Sequence, residues 1–191
     1  MAIPPLVGVD VPAAGRSMVA AGLILGVVVS GMFVLFIAGE ILSDPGGWTG
    51  LAWVAAWLLP PLALSVLAVV RPRIAHPLLV VIVWILVAAS VASIFRARIV
   101  WEFEDTHGPV NLLVQIAVLI PLVALGRAMP REAGRLMAIA LIGPLVFQAI
   151  SLVVVGQWSV VLVLVVVAVP FGIVALLLIL GGRQASVDVG G

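Results

Sequence analysis

The run VVIVWILVAASVASIF, residues 80–95, holds no charged side chain and no alternation of polar with apolar residues. It belongs to the third of six such stretches, at about 17–39, 50–70, 78–95, 110–126, 136–155 and 159–180, each of 17 residues or more. At about 1.5 Å per residue these reach roughly 25 to 35 Å, which matches the hydrocarbon thickness of a bilayer. A chain built this way has few options. Lipid offers the backbone no hydrogen-bond partner, so a spanning segment either satisfies its amides internally as a helix or pairs them around a closed barrel. Barrel strands alternate lipid-facing with lumen-facing residues, and residues 80–95 do not.

Composition points the same way. Of 191 residues, 65% are apolar and 9% charged, against roughly a half and a quarter in soluble domains. The expected fold is therefore all-α: a polytopic integral membrane protein, a bundle of six transmembrane helices. A cytoplasmic segment 1–16 precedes the membrane domain 17–180, and a flexible tail 181–191 follows it. The first run is too long for a signal-peptide core and ends in FIAGEIL rather than a small-residue cleavage pattern, so it is expected to stay as an anchor.

Charge sets the orientation. The chain has nine arginines and no lysine. With the N-terminus in the cytoplasm, Arg16, Arg71, Arg73, Arg127, Arg131, Arg135 and Arg183 fall inside, and Arg96 and Arg98 outside. Positive side chains favour the cytoplasmic face, so both termini are expected there. Trp48, Trp53, Trp101 and Trp158 then sit at the outer boundary, where amphipathic rings prefer the headgroup layer. The arginine-only usage fits a GC-rich bacterial genome, and hence the bacterial inner membrane. A formal net charge of +1 provides no field to recruit nucleic acid. The lipid bilayer is the expected partner, together with another membrane protein or a second copy of this chain.

Chemistry-bearing residues are few. The outer loop WEFEDTHGPVN gathers Glu102, Glu104, Asp105 and His107, which are read as a solvated loop, with hard-cation binding or a pH response as the sharper alternative. Glu40 stands at the outer end of the first helix, where the helix dipole disfavours an anion. Arg96 and Arg98 are its expected partners in a charge clamp. Asn111 and Gln115 share a face of the fourth helix, and Gln148 and Ser151 a face of the fifth; they form either an outward-facing polar pocket or interhelical hydrogen-bond glue. Gly22, Gly26 and Ser30, and likewise Ala89 and Ser93, place small residues at intervals of four, a pattern for close helix packing. Pro60, Pro121, Pro144 and Pro170 can kink their helices near mid-membrane.

Catalytic patterns are missing. The chain has no cysteine, no HExxH pair, no GxSG serine with a buried histidine, no paired-aspartate run and no GxxxxGK[ST] loop. His76, in RPRIAHP, is assigned to a cytoplasmic turn, and His107 to the outer loop, so a haem between helices lacks axial ligands. No enzyme activity, metal or cofactor is expected. In length and number of spans the chain resembles the substrate-binding membrane components of energy-coupling-factor vitamin transporters, a likeness of topology that carries over no residue. It implies a small transporter or solute-binding membrane subunit. The alternative is a structural or assembly subunit that docks onto another membrane protein through its small-residue faces.

Overall fold

The computed structural model of the protein describes residues 13–43, 48–95, 110–155 and 164–187. Among them there are six α-helices and no strand. The helices are α1 (Ala13–Ser43), α2 (Trp48–Val70), α3 (Pro72–Phe95), α4 (Val110–Leu125), α5 (Pro130–Val155) and α6 (Val169–Val187). A five-residue π-helical turn, Leu164–Ala168, leads into α6.

Each expected apolar run corresponds to one helix, but the helices overrun the runs at their arginine-bearing ends. Helix α1 starts at Ala13, α3 at Pro72 and α5 at Pro130, while α6 continues to Val187. Two expectations are thereby corrected. RPRIAHP is not a turn, because Pro72 to His76 form the first turn of α3; and most of the 181–191 tail belongs to α6. Hydropathy marks where the apolar content stops, whereas arginine, alanine and glutamine are good helix formers and let the backbone ladder run on. Three stretches, Ala14–Gly39, Pro72–Ser93 and Val165–Gln184, are long and apolar enough to cross a membrane; Ala55–Val70 and Leu113–Leu125 are apolar but shorter.

Two tight corners join helices, and both use the same device. At the first, the Arg71 amide donates to the Leu67 carbonyl at 2.7 Å and completes α2, while the Arg71 carbonyl accepts from Ile74 and Ala75 at 3.0 and 3.1 Å and opens α3. At the second, the Met129 amide donates to Leu125 at 2.9 Å and its carbonyl accepts from Ala133 at 2.9 Å. Pro72 and Pro130 follow at the first helical position, where a missing N–H costs nothing and the fixed φ suits the helix.

Helix α4 is the axis of the structure. It packs against α1, α2, α3 and α5, and the outer helices close a ring around it in the order α1, α2, α3, α5, α6 and back to α1. Its residues Ile116, Leu119, Leu122 and Leu125 have no exposed surface. Helix directions follow from close contacts. Gly15, Gly22 and Gly26 of α1 lie beside Gln184, Leu177 and Val174 of α6, so those helices run antiparallel; Gly182 lies against Arg131 and Gly134 against Ile179, so α5 and α6 do too. Arg16, Arg131 and Arg183 therefore share one end. Gly134 and Gly181 are obligatory there: a Cβ at Gly134 would stand 2.7 Å from the Ala175 carbonyl oxygen, and one at Gly181 would stand 2.9 Å from that of Gly15.

Outward, the ring presents hydrocarbon. Leu35 is 74% exposed and Trp84 57%, and Ile24, Val66, Val81, Ile142 and Leu176 also face away from the core. A soluble protein rarely carries so continuous an apolar surface. Of the prolines, Pro60, Pro61, Pro121 and Pro144 lie within continuous helices. Pro170 is met by a local change of helix type, the π-helical turn just before it, a known way to absorb a missing backbone bond.

Candidate functional site: a lateral crevice between α1, α2 and α4

Helix α1 packs chiefly on α6, and α2 chiefly on α4, so a crevice is left between α1 and α2 with α4 as its floor. Its volume is about 410 Å³. The walls are aliphatic: Leu23 and Val27 from α1, Leu62 and Val69 from α2, Ile120 and Val123 from α4. Val27, Leu62 and Val69 are also strongly exposed on the outside of the ring. The crevice thus opens sideways, through the apolar surface.

Three polar side chains interrupt this lining: Ser30, Ser65 and Arg127. The Ser65 hydroxyl donates to the Pro61 carbonyl at 2.7 Å, the usual solution for a serine inside a helix. Ser90 and Ser93 do the same, to Leu86 and Ala89 at 2.9 and 2.8 Å. Ser30 does not. It is 8% exposed, and its Oγ has no hydrogen-bond partner among the described residues. A buried hydroxyl left unmatched costs on the order of 1 to 3 kcal/mol; Trp57 Nε1 and Arg131 Nε are the other such atoms among the described residues. Arg127 follows the C-terminal end of α4 and is exposed at the crevice rim. Gly126 beside it is in contact with Leu23 of α1 and Leu178 of α6, which puts Arg127 at the arginine-rich end. Chemically, the crevice can hold an aliphatic body, since the surface it presents is almost wholly hydrocarbon. Among the described residues, its lining has no carboxylate or imidazole to serve as a base.

A second cavity, of about 480 Å³, lies between α1 and the entry to α6, lined by Val29, Met32, Phe33, Phe36, Val166 and Pro170. It is wholly hydrocarbon, beside the stacked rings of Phe33 and Phe171, whose centroids are 6.2 Å apart.

The residues singled out from sequence fall into three groups. Gly22 and Gly26 are filled from within the chain: a Cβ at Gly22 would meet Leu177 at 3.2 Å, and one at Gly26 would meet Val123 at 2.8 Å. Ser30 continues their stripe and is among the residues that line the crevice. On α3, Ala89 is exposed and Ser93 lies at the outer surface, so that pair points away from α1. For the polar pocket, Asn111 and Gln115 lie on α4 and Gln148 and Ser151 on α5, and these helices pack together. Gln115 is buried, at 7% exposure; the side chains of Asn111, Gln148 and Ser151 lie outside the described residues, as does that of Glu40. Arg96, Arg98, Glu102, Glu104, Asp105 and His107 are outside them altogether.

Sequence reasoning misses the crevice as a unit. Ser30 reads as one more small packing residue, Arg127 reads as a topology marker, and Ser65 attracts no notice. Their meeting depends on the register between three helices, which no local pattern encodes.

Comparison with known protein families, curated proteins and solved structures returns no significant match. The class is set by the chain's own architecture: an all-helical protein in which three helices are long and apolar enough to cross a membrane.

Proposed function

We propose that the chain is a six-span integral membrane protein with both termini in the cytoplasm, and that it serves as a small transporter or solute-binding membrane subunit of a bacterial inner membrane. The apolar outer surface supports the first part, since only lipid covers such a ring without cost. The shared end of Arg16, Arg131 and Arg183 supports the orientation, because arginine is retained on the cytoplasmic side. The solute-binding reading rests on one observation above all: a crevice of about 410 Å³ opens between α1 and α2 through the apolar surface, with α4 as its floor. The proposal also includes an outward-facing polar pocket near Asn111, Gln115, Gln148 and Ser151.

The natural chain has no cysteine, so sidedness is tested cleanly with Ser17→Cys and Gln184→Cys. Both are expected to react with an impermeant maleimide in inside-out vesicles and neither in intact cells; reaction from opposite sides refutes the topology. For the binding role, the protein is purified in mild detergent and extracted for mass spectrometry beside Ser30→Phe, which fills the crevice. A small molecule carried by the parent and lost from the variant is expected. Identical extracts refute it.

The assembly-subunit reading keeps one specific support. The exposed α3 surface around Ala89 and Ser93 is flanked by exposed Ile85 and Val91, the combination of small and branched residues that membrane helices use to associate.

A further inference from the structure

We propose that the arginine-bearing end of the α5–α6 face holds the headgroup of an anionic phospholipid, whose acyl chains lie along the same face. This goes beyond the solute-binding role and rests only on the membrane-spanning reading. Charge comes first. Glu132 is the only carboxylate among the described side chains, and Arg135 pairs with it at 3.1 Å. Arg131 and Arg183 stand at the same corner, brought together by glycine: a Cβ at Gly182 would lie 2.8 to 3.1 Å from the Arg131 amide nitrogen, Cβ and Cα. Arg135 is one turn further along α5, on the same side as Arg131. The Nε of Arg131 is buried, whereas Arg135 and Arg183 are exposed and accessible to an anion from outside. Three arginines against one glutamate leave this corner positive.

The apolar pattern identifies the partner. On α6, Leu180, Leu176 and Ile173 follow back from Arg183 at alternating intervals of three and four, and all three are exposed. On α5, the exposed Ile142 lies seven residues on from Arg135, again on one side of the helix. These helices pack together, so each lateral stripe carries a cation at its end and bare hydrocarbon beyond it. A free phosphate or an acidic peptide would meet the arginines and leave the hydrocarbon uncovered; a phospholipid covers both. Guanidinium groups match phosphate oxygens in charge and geometry, and basic clusters at cytoplasmic helix ends recruit anionic headgroups.

The experiment uses the full chain, which has no native cysteine, with a bimane label on Leu176→Cys. That position is seven residues from Arg183, roughly 10 Å deeper. The protein is reconstituted in phosphatidylcholine vesicles containing nitroxide-tailed phosphatidylglycerol or nitroxide-tailed phosphatidylcholine. In the parent background the anionic lipid is expected to quench at about a five-fold lower fraction, the worth of one arginine near an anionic headgroup. Arg135→Gln with Arg183→Gln removes the difference. Arg71→Gln with Arg73→Gln, which takes two exposed arginines from the α2–α3 corner, leaves it in place. Equal quenching by the two lipids in the parent overturns the proposal and leaves the arginines to a soluble anion. Equal loss in both double variants overturns it too, and reduces the preference to general surface charge. If neither lipid quenches, α6 does not lie in the bilayer and the membrane-spanning reading falls as well.

Discussion

A tight glycine contact between α5 and α6 supplies the sharpest stability test. A methyl group added at Gly134 on α5 would stand 2.7 Å from the carbonyl oxygen of Ala175, 2.8 Å from Cγ1 of Ile179 and 3.0 Å from the Ile179 amide nitrogen. Two of those three atoms are backbone of α6 and have no rotamer by which to retreat. Gly134→Ala must therefore push α5 and α6 apart, and overpacking of this kind costs about 1 to 3 kcal/mol, partly through lost dispersion along the seam. Gly31 is the internal control, since a methyl group there would have no heavy atom within 4 Å. At that position the substitution gains the helix propensity of alanine, up to about 1 kcal/mol. Taken together, Gly31→Ala and Gly134→Ala should differ by about 2 to 4 kcal/mol in opposite directions from the parent. Unfolding by sodium dodecyl sulfate in mixed micelles, followed by fluorescence of the six tryptophans, measures the difference. If the two variants shift alike, or Gly134→Ala gains stability, then α5 and α6 do not meet at this glycine and the antiparallel pairing is wrong.

Two further predictions use the same assay. Phe171 is the largest fully buried side chain among the described residues and stacks on Phe33, so Phe171→Ala is expected to cost about 3 to 5 kcal/mol; a loss under about 1 kcal/mol would remove it from the core. Arg135 pairs with Glu132 at 3.1 Å, with the two side chains 46% and 40% exposed. Arg135→Gln should change stability by less than about 1 kcal/mol, and a larger loss would show that the pair is held in a drier setting than its exposure implies.

The helical class and the six helices among the described residues are legible in the sequence because each run's hydropathy is a local property, summed over one segment. The small-residue stripe of Gly22 and Gly26 is legible for the same reason, since spacing by four marks one face. What that face meets is not. The stripe contacts Leu177, Val174 and Val123 on two different helices, and nothing within α1 distinguishes those from a separate subunit. The helix ends at His76 and beyond Gly181 escape a hydropathy reading because apolar content and helix propensity part company at arginine. The crevice is illegible for a stronger reason: it arises where α1 turns to α6 and α2 to α4, and such a divergence is a property of three helices at once.

In a membrane the crevice poses a problem that it would not pose in water. Between helices in lipid there is no hydrophobic drive, because a tail is as apolar as a leucine; association depends on close packing and on hydrogen bonds. The glycine contacts of α1, α5 and α6 meet that requirement along two seams. The α1 and α2 seam does not, and its aliphatic walls alone would accept any hydrocarbon that drifts in. Selectivity there cannot come from apolar area, which every competing lipid also offers. In the proposed solute-binding role shape is what remains, so Ser30→Phe, which fills the crevice, is the substitution that separates a specific site from a packing fault.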